Sequence, residues 1–359
     1  MARGKKPRAR RIVGGVDTHL DTHHAAVELM NGGQVADAEF PATAAGYARL
    51  LAWMRSFGRV HAVGVEGTGS YGAGLARHLR SAGVRVIEVS RPDRRQRRNK
   101  GKSDPLDAYA AADAVLAGRA SALPKGGDGA AESLRALHQA RAGAVKARTA
   151  ATNELRALLV TAPAGLREQL TGLTAMRLAA ACARLRPGAD ASDPLTGTKL
   201  ALRSLGRRWQ DLTAEITFLD SQLTSLITRL RPDLLAIRGV GTETAAQLLI
   251  TCGDNPDRLR SEAAFAALCG VAPIPASSGK TRRHRLSRGG DRQANRALYF
   301  IALNRLVTCP HTRSYATRRT REGLSGREII RCLKRYIARE LFKALTSPDG
   351  QINNLRPAA

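Results

Sequence analysis

Three short β-rich runs follow one another before any helical pattern begins: Ile12–Asp17, Ala25–Met30 and Gln34–Phe40, with Asn31, Gly32 and Gly33 as the second turn. A helical pattern then spans Thr43 to Phe57, a strand His61–Glu66, a helix Tyr71–Ala82 with Gly83 suited to its C-terminal cap, and a strand Val84–Val89. A further helix starts near Asp104. Few sheet topologies accept three antiparallel-type strands followed by α-β-α-β-α.

That order is the one found in the ribonuclease-H-like fold, in which the first and fourth strands lie side by side. It places Asp17 at the end of the first strand and Glu66 at the end of the fourth. Asp104 and Asp107 are three residues apart at a helix start, so both can project from one face. Four converging acids repel one another unless a hard divalent cation relieves the repulsion, and carboxylates, water and phosphate together suit Mg²⁺. Two such ions, about 4 Å apart, can activate a nucleophile and stabilise a leaving oxygen. Local grammar offers another explanation for part of the set: Asp104-Pro105-Leu106-Asp107 also reads as an Asp N-cap, a proline at the first helical position and an acid in the first turn. The nearby His19, Asp21, His23 and His24 have no closed-site spacing and read as surface or supporting residues.

The remainder of the chain is helical. The expected division is an α/β domain over residues 11–124, a helical connector over 125–232 and a mainly helical C-terminal domain over 233–346. In the connector, Leu202, Leu205, Trp209, Leu212, Ile216, Leu219, Leu223, Leu226 and Leu230 alternate spacings of three and four, the seam of a coiled coil. A weaker stripe over Leu134–Leu159 could pair with it inside one chain, or the seam could join two copies into a dimer or tetramer. The C-terminal region opens on a helix-hairpin-helix-like pattern, where Gly239 and Gly241 would let backbone N–H groups approach a phosphate.

The charge balance points to the partner. Lys and Arg number 58 against 30 Asp and Glu, a net +28, and such an excess is retained where the partner is a polyanion. Only 4% of residues are aromatic, which disfavours a stacking platform for single strands and favours duplex DNA or structured RNA. Arg91–Lys102 holds seven basic residues and one acid. Within it Arg94, Arg95, Arg97, Arg98, Lys100 and Lys102 are candidate phosphate contacts just ahead of Asp104. The five cysteines lack C-x-x-C spacing, so neither a zinc site nor a disulfide framework is expected. No run approaches a bilayer span, no membrane partner is expected, and the expected location is cytoplasmic.

A second cluster lies at Ala276-Ser277-Ser278-Gly279-Lys280, followed by Arg282, Arg283, Arg285 and Arg288. A serine on a glycine-flanked loop amid cations is placed as a phosphate-seeking nucleophile would be, given a base or metal to activate it.

Taken together, Gly15-Val-Asp-Thr-His19, Gly64-Val-Glu-Gly-Thr-Gly-Ser-Tyr-Gly72, Lys102-Ser-Asp-Pro-Leu-Asp-Ala108, Gly239-Val-Gly241 with Thr244-Ala245, Gly270-Val-Ala-Pro273, Ser277-Ser-Gly279 and Arg296-Ala-Leu-Tyr299 resemble the DEDD-type transposases of the insertion-sequence one-ten family. The resemblance covers nearly the whole chain around a variable helical middle. It implies a RuvC-like domain holding Mg²⁺ on Asp17, Glu66, Asp104 and Asp107, a coiled-coil connector, and a C-terminal transposase domain. That last domain would supply Ser278 as nucleophile for a 5′-phosphoserine link. It also implies donor and target DNA as substrates and a structured bridge RNA as guide. The chain departs from the family's pattern at Gly290-Asp-Arg-Gln-Ala-Asn295. Two other readings stay open: a RuvC-like nuclease or junction resolvase that uses water, and a nucleic-acid-binding protein without catalysis.

Overall fold

The computed structural model describes residues 10–89, 103–255, 258–278 and 283–346. The basic run from Arg94 to Lys102, together with Lys280 and Arg282, lies outside the described residues. The chain forms two compact units, one of residues 1–131 with 252–260, the other of residues 132–251 with 261–359.

In the first unit β1 (Arg11–Thr18), β2 (Thr22–Leu29) and β3 (Gln34–Pro41) precede α1 (Ala44–Ser56), β4 (Arg59–Glu66), α2 (Ala73–Ser81), β5 (Val86–Val89) and α3 (Asp104–Leu116). The sheet order is β3-β2-β1-β4-β5. Strands β1, β2 and β3 are antiparallel neighbours, while β4 runs parallel to both β1 and β5. This mixed α/β sheet puts the first and fourth strands side by side, an arrangement compatible with a RuvC-like transposase fold.

Alternation along the central strands decides what each face holds. Ile12 and Val16 of β1, with Val63 and Val65 of β4, join the core beneath α1 and α2, where Leu50, Met54, Leu75 and Leu79 are fully buried. The opposite face carries Gly15 and Gly64, partners in the β1–β4 register, and α3 lies against them. A β-carbon at Gly15 would stand 2.1 Å from the Ala108 carbonyl oxygen, and one at Gly64 would stand 2.6 Å from that of Ala111. The two glycines and the small buried residues Ala108, Ala111 and Ala112 let helix and sheet backbones meet closely. Two residues beyond the glycines, on the same face, come Asp17 and Glu66.

Glu28, on β2, is also on the α3 face. Its side chain is 1% exposed and neither carboxylate oxygen has a hydrogen-bond partner among the described residues. Burial first, and the charge of Asp113 second, raise its pKa from the ordinary value to about 7. Because the folded state favours the protonated acid, its stabilising contribution is complete below the unfolded pKa and fades as pH rises towards about 7. Glu28→Gln is therefore expected to stabilise the full chain by about 2 kcal/mol near pH 8 and by little near pH 4, read from denaturant midpoints at the two pH values.

Residues 252–260 belong to this first unit although they lie between two helices of the second. Asn255 donates to the Pro124 carbonyl at 2.9 Å and accepts from the Gly126 amide at 3.1 Å. Asp254 accepts from the Ala131 amide at 2.8 Å, and Arg258 donates to the Leu123 carbonyl at 3.0 Å.

The second unit contains α4 (Ala130–Val160), α5 (Ala164–Leu170), α6 (Ala175–Ala183), α7 (Pro194–Leu230), α8 (Pro232–Ala236), α9 (Thr242–Cys252) and α10 (Glu262–Leu268). The strand pair β6 (Ile274–Pro275) and β7 (His284–Arg285) follows, then α11 (Arg292–Thr308), α12 (Pro310–Arg321) and α13 (Gly326–Thr346). The long helices α4 and α7 run antiparallel. Trp209 Nε1 donates to Thr152 Oγ1 at 3.0 Å beneath the Arg148 guanidinium, and Arg141 pairs with Asp220 nearer the other end. The first part of the α7 seam, Leu202, Leu205 and Trp209, joins one apolar cluster with Leu155 and Leu159 of α4 and Leu178 of α6. The seam also departs from the strict heptad expected: Leu202, Ile216, Leu219 and Leu223 are buried, but Ile227 is then buried instead of Leu230, which is 38% exposed. An α-helix turns every 3.6 residues, so a seam written at 3.5 drifts off its line by the last turns.

Candidate metal centre and serine hairpin

Asp17, near the end of β1, faces α3 by strand alternation, and His19 follows one residue beyond the strand. The chain then bends, with the His19 amide donating to the Thr22 carbonyl at 3.0 Å. His19 Nε2 stands 3.2 Å from Asp17 Oδ2 and 3.4 Å from Asp104 Oδ1. One ligand atom from each of the three lies within 4.8 Å of the others. His19, with its side chain 43% exposed, thus stands beside both acids.

The first turn of α3 brings its acids to the site without using Asp104 as a cap. Ser103 holds the N-cap position, its carbonyl accepts from the Asp107 amide at 3.1 Å, and Pro105 occupies the opening turn. Asp104 keeps its carboxylate for His19 and the neighbouring acid, so the N-cap explanation of Asp104 does not hold. Asp107 is 6% exposed and packs into the same unit. Glu66 ends β4, with its carbonyl accepting from Thr18 Oγ1 at 3.0 Å and its Oε1 shielded from solvent. The three-residue ligand grouping contains Asp17 and Asp104, and among the described residues neither Glu66 nor Asp107 enters it.

The other histidines separate cleanly. His23 points to the opposite face, fully buried and stacked on Tyr47 at 5.5 Å, and burial lowers its pKa. It is a core residue, which corrects the surface reading. His24 Nε2 donates to Asp37 Oδ2 at 2.7 Å on the α3 side.

The donor set fits a divalent cation. Asp17 Oδ2 and His19 Nε2 are shielded from solvent yet make no well-directed hydrogen bond, although they face each other and Asp104. Buried polar atoms left in this way are costly unless something charged completes them. Carboxylate oxygens suit Mg²⁺ or Mn²⁺, and the imidazole nitrogen adds affinity for Mn²⁺ and heavier ions.

In the second unit the serines sit on a short hairpin. Ile274 pairs with Arg285 and Pro275 with His284, and the Ala276 amide donates to the Arg283 carbonyl at 2.9 Å. Ser277 Oγ donates to that same carbonyl at 3.5 Å, whereas Ser278, one residue further towards the tip, is exposed. Arg283, Arg285 and Arg288 are exposed around it. The α8–α9 turn has Gly239 at φ +84° with Arg305 packed beneath it. The Gly241 amide donates to Thr244 Oγ1 at 3.0 Å, and Glu243, in the first turn of α9, pairs with His138 and Arg141 of α4. This turn therefore presents fewer free amides than its glycines suggested.

Comparison with known proteins matches two stretches of the chain. A sequence model described as a transposase, of DEDD type, matches residues 14–162, and one described as the transposase IS116/IS110/IS902 family matches residues 232–317. The chain is 31% identical over 170 residues to an uncharacterised 43.6 kDa protein of insertion element IS110 from Streptomyces coelicolor, covering 46% of this chain and 41% of that protein. It is 29% identical over 204 residues to a probable family 20 transposase of Pseudomonas aeruginosa, covering 55% and 57% respectively. With an IS900 protein of Mycobacterium paratuberculosis it shares 30% identity over 103 residues, 28% of this chain and 26% of the other. The chain thus spans about half or less of the length of the relatives it matches. With one model on the metal-centre half and the other on the serine half, the chain belongs to the IS116/IS110/IS902 family of transposases.

Proposed function

We propose that this chain is a DNA transposase or recombinase that cleaves and rejoins strands through a 5′-phosphoserine intermediate, with Asp17, His19 and Asp104 as the core of its divalent-metal centre. The observation that carries this reading is the convergence of two acids and an imidazole at the end of β1, on the sheet face where α3 lies close. Glu66 and Asp107 complete the acid set around them, in a fold of RuvC type. A bound Mg²⁺ pair would supply Lewis-acid stabilisation of charge on the phosphate oxygens.

The chain's own residues do the rest. Ser278 Oγ attacks phosphorus, forming the serine–phosphate bond as the bond to the 3′ oxygen breaks; the serine proton leaves to a base and the 3′ oxygen takes one up. A second strand's 3′ hydroxyl then attacks the phosphoserine and frees the serine, so the phosphodiester energy is kept and no ATP is needed. Arg283, Arg285 and Arg288 offset phosphate charge beside the hairpin. The net charge of +28 supports a large polyanionic assembly, with donor and target DNA and a structured bridge RNA as the partners that fit it. The α4–α7 pair would serve as the coiled-coil connector of a homo-oligomer.

The test is a covalent protein–DNA adduct on a denaturing gel, with Mg²⁺, labelled element-junction DNA and RNA from the element's flank. Wild type is expected to form it and Ser278→Ala to form none. Clean cleavage without adduct, surviving in Ser278→Ala, would instead establish a RuvC-like nuclease that uses water.

A further inference from the structure

Lys334 is buried, 6% exposed in the middle of α13, and makes no ion pair among the described residues. Its ammonium donates to Asn295 Oδ1 of α11 at 2.8 Å. That bond settles which way the amide of Asn295 faces, because only the oxygen end can accept from an ammonium. The Nδ2 end then donates to two carbonyls at once, Cys269 at 3.1 Å and Gly270 at 2.9 Å. These are the last residues before the segment that carries the β6–β7 hairpin and Ser278.

The segment returns to the same point. The Asp291 amide donates to the Leu268 carbonyl at 2.6 Å, and Asp291 also caps α11 and accepts from Thr251 Oγ1 at 2.8 Å. Gly290 makes the closure possible: its φ is +84°, and a β-carbon there would stand 2.5 Å from the Ala267 carbonyl oxygen and 2.6 Å from the Gly270 amide. The loop over residues 271–289 therefore leaves and rejoins the helices at one knot, with Asn295 at its centre and Lys334 behind it. A buried cation without an ion-pair partner is costly to desolvate, and packing alone does not account for it. A role in holding an amide that holds two carbonyls accounts for it.

We propose that Lys334 is a positioning residue for the serine hairpin, acting through Asn295 on the carbonyls of Cys269 and Gly270. It touches no reacting atom. Its effect is to fix where the loop begins and ends, and so where Ser278 is presented. The consequence for rate rests on the phosphoserine reading; the clamp itself does not.

The test compares wild type, Lys334→Met and Lys334→Arg as full chains. Methionine keeps most of the volume and removes the donor, so the Asn295 amide is free to turn over while the core stays filled. Amide hydrogen exchange is read at Asp291 and Ala276, together with the thermal midpoint and the rate of adduct formation. Lys334→Met is expected to speed exchange at both amides more than about 10-fold at a nearly unchanged midpoint. Adduct formation is expected to fall about 10–100-fold with DNA affinity retained, the penalty typical of a nucleophile displaced by an ångström. Lys334→Arg, which keeps the donor, is expected to recover part of both. Unchanged exchange at Asp291 and Ala276 in Lys334→Met would overturn the clamp, and so would a fall in midpoint with exchange raised evenly across the unit. Absence of adduct in wild type, with exchange still raised locally in the variant, would count against the serine chemistry and leave the clamp standing.

Discussion

Asp17→Asn is expected to lower divalent-metal-dependent strand cleavage by about 10²–10³-fold or more, the loss seen when one preorganised charge-stabilising group is removed from an active site. Asparagine keeps the shape of the side chain and one acceptor oxygen but loses the charge that draws a cation. The stability readout has the opposite character. In chelator, removing one of the acids gathered around β1 and α3 relieves like-charge repulsion as it loses the His19 pairing, so the thermal midpoint should move little. Wild type should gain stability as Mg²⁺ is added, because ligand binding favours the folded state, and Asp17→Asn should lose most of that gain. A variant inactive merely through misfolding would instead show a lowered midpoint in chelator.

The second large effect is structural and comes from Gly15. A β-carbon there meets the Ala108 carbonyl oxygen at 2.1 Å and the Ala112 amide nitrogen at 2.4 Å, both backbone atoms that cannot turn aside. Gly15→Val must lift α3 from the sheet, at a cost of about 3 kcal/mol or more, the upper range for overpacked cores. Moving α3 also moves Asp104 and Asp107, so cleavage should fall with stability. Gly14→Ala is the control on the other face. Its β-carbon meets Met54 Cε at 2.7 Å and Sδ at 2.8 Å, the far end of a flexible side chain, so about 1 kcal/mol is expected. Chemical denaturation of the three proteins checks both values, and equal effects at Gly14 and Gly15 would remove the argument from close approach.

These expectations rest on features that were unequally visible in the amino-acid order. Strands β1, β2 and β3 and the alternation of helices and strands after them were legible because each strand is a short β-rich run bounded by turn residues, and their order constrained the sheet. Asp17 and Glu66 at strand ends followed from it. His19 has no closed metal-site spacing in the sequence, and only the fold shows its ring beside both Asp17 and Asp104. His23 was misjudged: it falls under α1, against Tyr47. Asp104 was ambiguous because a helix start uses the same residues as a metal site, and only the placement of Ser103 at the cap separated the two. The attachment of residues 252–260 to the first unit, and the Lys334–Asn295 knot, depend on contacts between residues far apart in sequence and leave no local pattern to read.

The measurement that bears most directly on the metal centre is a Mn²⁺ titration followed by electron paramagnetic resonance, on the full-length wild type and Asp17→Asn, without nucleic acid. Saturable binding in wild type that is lost or greatly weakened in Asp17→Asn is the predicted result. Equal binding by the two proteins, or none by wild type, would contradict the assignment of Asp17, His19 and Asp104 as a divalent-cation site.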